Sequence, residues 1–230
     1  MRTKAILLSA AVIAAGIATS AAQSVYSVNA VGYVNVTLVP GYNLLNNPLN
    51  GTNNNHINAV IPSVPDGTLA LKWNAGAQQF APPDNFFLEL GGWVDDSFSP
   101  TATTIKPGEG FFLQNNSGGN LALTFVGEVP QGSLSNNINI NYGFYGSQVP
   151  QSASLPLLSF PSGPAMQGAS YIPWNKATQQ YGRPYTYLDG VWYNDDFIPE
   201  DPIPAVAEGF VVNNPNPAVG WTRNFSVNNN

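Results

Sequence analysis

GGWVDDSFSPTATTIKPGEGFFLQN, residues 91–115, returns as GVWYNDDFIPEDPIPAVAEGFVVNN at residues 190–214, and this return decides the fold. At an offset of 99 and without a gap, nine of the 25 positions are identical. They are Gly91, Trp93, Asp96, Phe98, Pro100, Glu109, Gly110, Phe111 and Asn115, matching Gly190, Trp192, Asp195, Phe197, Pro199, Glu208, Gly209, Phe210 and Asn214. Unrelated stretches of ordinary composition share about one or two. The 230 residues therefore hold two copies of one unit of about a hundred residues, each large enough for a modest core.

Within the stretch, Trp93 opens a strand, Pro107-Gly108 makes a turn, and the apolar Phe111–Leu113 run suits a central strand buried on both sides. Upstream, Leu69, Leu71 and Trp73 alternate with Thr68, Ala70 and Lys72, and Phe86–Leu90 reads as a further strand; downstream, Leu121, Leu123 and Phe125 alternate. The β-branched segment 24–39 ends at Pro40-Gly41, and Tyr42–Leu45 follows as a short strand. Ile57, Val60 and Ile61 allow one helical turn behind a cap at Asn55. Turns about every ten residues between strands of four to six predict an all-β protein, with two tandem antiparallel β-sandwiches of Ig-like or jelly-roll-like type at 23–130 and 131–230. The second copy repeats the plan, with Gly143-Phe144 set against Gly41-Tyr42, Trp174-Asn175 against Trp73-Asn74 and Phe225 against Phe125. Arg223 falls where Leu123 sits, and the second copy has no Pro-Gly before Glu208-Gly209-Phe210.

Residues 1–22 read as a secretory leader: Arg2 and Lys4, an apolar run from Ala5 to Ala18, then Ser20-Ala21-Ala22. Without it, five basic residues face thirteen acidic ones, a net charge of −8 that disfavours nucleic acid. Charged residues make up only 9%, while there are 28 Asn, 22 Gly and 20 Pro. This composition suits a turn-rich protein outside the cytoplasm, periplasmic, surface-bound or extracellular, and no later segment reads as transmembrane. There is no cysteine for a disulfide or a lipid anchor.

VGYVN at 31–35, Pro40-Gly41-Tyr42-x-Leu44 with Asn47-x-Leu49, Pro65-Asp66-Gly67, the Trp73-Asn74 strand and Pro-Gly-Glu-Gly-Phe-Phe at 107–112 together resemble uncharacterised secreted tandem β-sandwich modules of Gram-negative environmental bacteria. The resemblance covers the whole mature chain. It implies fold and export, and carries no catalytic residue.

The duplication sorts the candidate chemistry, because a residue present in both copies is explained by a shared fold more simply than by one active site. Glu109 and Glu208 then close turns. Glu89, Glu200 and Asp201 are unmatched, but their spacing shows no glycosidase pair. His56 is the sole histidine and no nucleophile elbow is present, so no catalytic residue is assigned and the chain is read as a non-enzyme. One histidine and no cysteine exclude a zinc site of the usual kind. Calcium stays open, with Asp195, Asp196, Glu200 and Asp201 as oxygen ligands, against polar turn residues facing water. Trp73 with Trp174, and Trp93 with Trp192, read as core. The unmatched aromatics Tyr181, Tyr185, Tyr187, Tyr193 and Trp221 are candidates to stack on a polysaccharide, against the alternative of filling a core. Segment 24–39 could pair within its own repeat or add to another molecule. The expected role is a structural or adhesive protein, with a carbohydrate-binding module as the alternative and a glycan hydrolase as a weaker one.

Overall fold

The computed structural model describes residues 30–228; the expected leader and residues 24–29 of the first segment lie outside them. In the first repeat the strands are β1 (Val31–Leu38), β2 (Gly41–Asn46), β3 (Leu69–Asn74), β4 (Gln79–Phe80), β5 (Asp84–Phe87), β6 (Gly92–Val94), β7 (Gly110–Asn115) and β8 (Leu121–Glu128). The second repeat has β9 (Gly132–Ile138), β10 (Asn141–Gly146), β11 (Ser170–Asn175), β12 (Gln180–Tyr181), β13 (Tyr185–Leu188), β14 (Val191–Tyr193), β15 (Gly209–Asn214) and β16 (Val219–Phe225). The strand plans match one for one.

Each repeat is an antiparallel sheet and a two-stranded ribbon. The first sheet runs β2-β7-β3-β5-β6, with β4 on β3, and its ribbon is β1-β8; the second runs β10-β15-β11-β13-β14, with β12 on β11, and its ribbon is β9-β16. The same two lengths of chain pair twice. Leu38 pairs with Leu121 in the ribbon and Gly41 with Asn115 in the sheet, so one long ladder bends at Val39-Pro40 and residues 116–120 and folds onto itself. Pro40 has no amide hydrogen to continue the ladder, and Gly41 takes φ +90°, which suits a sharp corner.

Alternation along the strands places the core between ribbon and sheet. Leu38, Leu123 and Phe125 come down from the ribbon onto Leu45, Phe86, Trp93, Phe111 and Leu113. The second core is built likewise from Ile138 and Trp221 on Tyr171, Tyr187, Trp192, Phe210 and Val212. Trp93 and Trp192 are buried as expected, each donating or packing inside its own repeat; Trp93 Nε1 donates to the Ile61 carbonyl at 2.8 Å.

Three expectations change. The helical turn forms at Ile57–Val60, but its cap is His56, whose Nδ1 accepts from Asn58 N at 3.3 Å while Nε2 donates to the Thr101 carbonyl at 2.8 Å. Asn55 lies inside a left-handed run, Asn53–Asn55, with φ of 51–59°. The strand expected over Phe86–Leu90 is β5 followed by a single 3-10 turn, Leu88–Leu90. Finally, Tyr42 corresponds to Tyr142 and not to Phe144, since Gly41 opposite Asn115 matches Asn141 opposite Asn214. The turn before Glu208 closes without Pro-Gly: Glu208 N donates to Ala205 O at 3.1 Å, as Glu109 N does to Lys106 O, and Ala207 carries the positive φ.

Candidate functional site

The outer faces of the two sheets meet. Because strand residues alternate, Phe111 and Leu113 enter the first core while Phe112 points the other way, into a seam with Leu44, Phe144 and Val211. Leu71, Trp73, Phe80, Ile172 and Trp174 pack round them. This corrects the reading of Trp73 and Trp174 as residues of their own cores: they are half-buried and clasp the opposite repeat.

The clasp is reciprocal. Trp73 Nε1 donates to the Tyr142 carbonyl at 2.8 Å, and Trp174 Nε1 to the Tyr42 carbonyl at 3.0 Å. The Gln78 amide brackets Tyr142, donating to its carbonyl at 3.0 Å and accepting its N–H at 3.0 Å; Gln179 brackets Tyr42 at 3.1 and 2.6 Å. Leu45 bridges Glu208, and Tyr145 bridges Glu109. A contact in which residue i meets j while j meets i is that of a two-fold dimer, here within one chain. Glu-Gly-Phe sits at this contact because a Cβ on Gly110 would strike the backbone of Phe144-Tyr145, and one on Gly209 the backbone of Leu45.

The seam is filled by unlike pairs on its two sides: Leu44 opposite Phe112 on one is answered by Phe144 opposite Val211 on the other, with the Phe144 ring 5.2 Å from Trp73. Phe112 places its ring 4.9 Å from Trp174, 5.8 Å from Tyr42, 5.9 Å from Phe80 and 6.5 Å from Tyr181. Its counterpart, by the 99-residue offset, is Val211. A cavity of about 320 Å³ opens there, lined by Trp73, Tyr142, Phe144, Ile172, Tyr181 and Val211. Its wall is mainly carbon. The Trp73 indole and the Tyr142 main chain already have partners across the seam.

The candidate aromatics do not share one face. Tyr181 lies in the seam, 49% exposed, its ring 5.1 Å from Trp174, and burial raises its phenol above the usual value. Tyr185 and Tyr187 do share a face of β13, but it is the core face: Tyr187 is buried with its hydroxyl accepting from Gly163 N at 2.8 Å, and Tyr185 packs on Tyr171. Burial raises Tyr185 first, and the charges of Glu200 and Asp195 add to it. Trp221 is fully buried, its Nε1 donating to Leu158 O at 2.9 Å. Tyr193 is half-buried in β14, opposite Thr186. Tyr187 and Trp221 therefore have no face to offer a sugar. Tyr142, which lines the cavity, escaped the sequence reading, and Trp73 was read there as core; the unlike residues Phe112 and Val211 at matching positions of the repeated stretch were the signal for the seam.

The acidic residues hold their own loops. Asp195 pairs with Arg183 at 2.5 Å, Asn194 Nδ2 donates to Glu200 at 2.9 Å, and Asn194 Oδ1 accepts from Asp196 N and Ile198 N. Among the described residues no three His, Cys, Asp or Glu side chains converge as a metal would require. Segment 31–38 pairs along its whole length with β8, inside its own repeat. Among the described residues no helix is long and apolar enough to cross a membrane.

No protein family, curated protein or solved structure matches the chain. The resemblance to secreted tandem modules thus rests on the motifs alone.

Proposed function

We propose that this is a non-catalytic structural or adhesive protein working outside the cytoplasm. The observation that carries the reading is the use of the duplicated residues. Trp73, Trp174, Glu109, Glu208, Gly110 and Gly209 all serve turns or the clasp between repeats, as parts of a scaffold would. The leader-like segment at 1–22 and the low charge accord with export. The test is to express the full chain in a Gram-negative host, fractionate the cells and assay the exported protein on polysaccharide, peptide and ester substrates. Cytoplasmic retention with an intact leader, or turnover abolished by Glu200→Gln or Asp201→Asn, would sink it.

A carbohydrate-binding role is the second reading, favoured by one observation: Tyr181 and Tyr142 are 49% and 45% exposed at the rim of an aromatic cavity. Polysaccharide binding lost in Tyr181→Ala and retained in Tyr187→Phe would support it, whereas equal binding by both variants would reject it.

A further inference from the structure

We propose that the cleft between the first repeat's sheet and the second repeat's ribbon binds an acidic polysaccharide, with the Lys106 ammonium on the carboxylate of a uronate ring. The inference rests on the adhesive half of the reading above and gives it a surface, apart from the cavity beside Val211.

The fold makes this cleft twice, and only one of the two carries the chemistry. One, of about 450 Å³, lies between the 106–110 turn and β9. Its mate, of about 420 Å³, lies between the 205–208 turn and β1. Register and offset equate Lys72 with Pro173, Lys106 with Ala205, Asn136 with Val36 and Asn137 with Thr37. The shared scaffold therefore does not require these two lysines and two amides. The mate has one lysine, Lys176, and its ammonium is engaged by the Thr37 carbonyl at 3.3 Å.

The polar groups of the first cleft divide into those that hold it and those left for a ligand. Lys72 Nζ donates to the Thr104 carbonyl at 2.7 Å and to Glu109 Oε2 at 2.9 Å, so its charge is matched. Asn136 ties the two walls together, donating to Pro107 O at 3.3 Å and accepting from the Gln148 amide at 2.8 Å. Lys106 and Asn137 are exposed, and neither side chain has a partner among the described residues; the same holds for the Ser135 hydroxyl and Glu109 Oε1. Of the five basic residues beyond position 22, two line this cleft, against one carboxylate, on a chain whose charge without the leader is −8. One open cation, a hydroxyl, an amide and a carboxylate oxygen, with carbon from Trp73 and Phe144 beside them, match a ring that carries one carboxylate and several hydroxyls. An acidic peptide would want more than one unpaired cation, and a neutral sugar would leave Lys106 without a use.

Calorimetric titration of the full chain with oligosaccharides of alginate and polygalacturonate tests this, beside dextran oligosaccharides and polyglutamate. At least one acidic saccharide should bind, and added salt should weaken it. Lys106→Gln should weaken binding about tenfold or more and Asn137→Ala about fivefold. Lys176→Gln in the mate cleft and Tyr181→Ala at the other cavity should leave it unchanged. Lys106 and Asn137 are exposed, so both variants should melt with the wild type. Binding of neither acidic saccharide, equal binding of dextran or polyglutamate, full affinity in Lys106→Gln, or loss in Tyr181→Ala would each overturn the proposal. Cytoplasmic retention or turnover of a substrate would instead sink the structural reading and leave these titrations untouched.

Discussion

The two repeats share a frame and differ in what fills it. In the first, Leu45, Ala70 and Phe86 face the core; the second has Tyr145, Tyr171 and Tyr187 at the corresponding strand positions. On the ribbon, Leu38 opposite Leu121 matches Ile138 opposite Val219, so Trp221 answers Leu123, and Arg223 answers Phe125 and not Leu123 as the sequence suggested; it is buried beside Gln151 and Phe225 with Nη1 unpartnered. The exposed ribbon face differs too: Val31, Tyr33 and Val126 in one, Ser133, Ser135 and Asn224 in the other. Positions in common build the scaffold and the clasp. Positions that differ set each repeat's chemistry and, in the seam, exchange Leu44 and Phe112 for Phe144 and Val211.

Removing what the copies share should hurt them equally. Trp93→Ala and Trp192→Ala are each expected to cost about 3–5 kcal/mol, read as matching shifts in denaturant midpoint; a large inequality would mean the cores are not equivalent. The seam should be sensitive to exchange between its two sides. Phe112→Ala is expected to cost about 3 kcal/mol, and Val211→Phe, which sets a second ring against Phe144, about 1–3 kcal/mol; adding Phe144→Leu, which copies the Leu44/Phe112 pair, should recover part of that loss, and no recovery would show that the two sides are not equivalent. Arg223→Leu puts an apolar residue where the first repeat has Phe125. Burial lowers the Arg223 pKa, the sign of a cation held out of water, so the variant should gain about 1 kcal/mol in thermal or chemical melts.

The smallest difference should show only in alkali. Burial, and after it the charge of Glu208, raises the pKa of Tyr171 well above the ordinary phenol value, and burial raises Tyr145. A folded-state pKa above the unfolded one gives stability that is complete below pH ~10 and lost as pH rises beyond it. Tyr171→Phe should therefore leave neutral stability nearly unchanged and move the alkaline unfolding limb upward. Amide exchange at high pH should open the second repeat first; simultaneous opening would show the repeats coupled more strongly than their phenols differ.

Much of this frame was legible because half-buried strands alternate and the same turns come twice. Trp93, Leu121-x-Leu123-x-Phe125 and the Gly-Phe strands all fell where the pattern put them. The seam was hidden for a physical reason. β2, β7, β10 and β15 bury both faces, so their apolar runs do not say which side meets its own core and which meets the other repeat. Small length differences also shift the offset, from 99 at Gly110 to 100 at Tyr42 and 101 at Trp73, and so masked the equivalence of Tyr42 and Tyr142. Tyr185 and Tyr187 were placed on one face of a strand, but alternation alone leaves open whether that face is wet.

Near the two-fold axis the repeats meet through Asn46 and its counterpart Gly146. Asn46 Nδ2 donates to Ser147 O at 2.7 Å, its Oδ1 accepts from Gly108 N at 3.0 Å, and a Cβ on Gly146 would overlap the Asn46 side chain. Only one of the two positions has room for a side chain. Two copies of the first half would collide there, and two of the second would leave a gap, so each half is a better mate for the other than for itself. Cut between β8 and β9, the chain would become a pair of unlike fragments that favour each other over themselves, a natural starting point for a split-protein reporter.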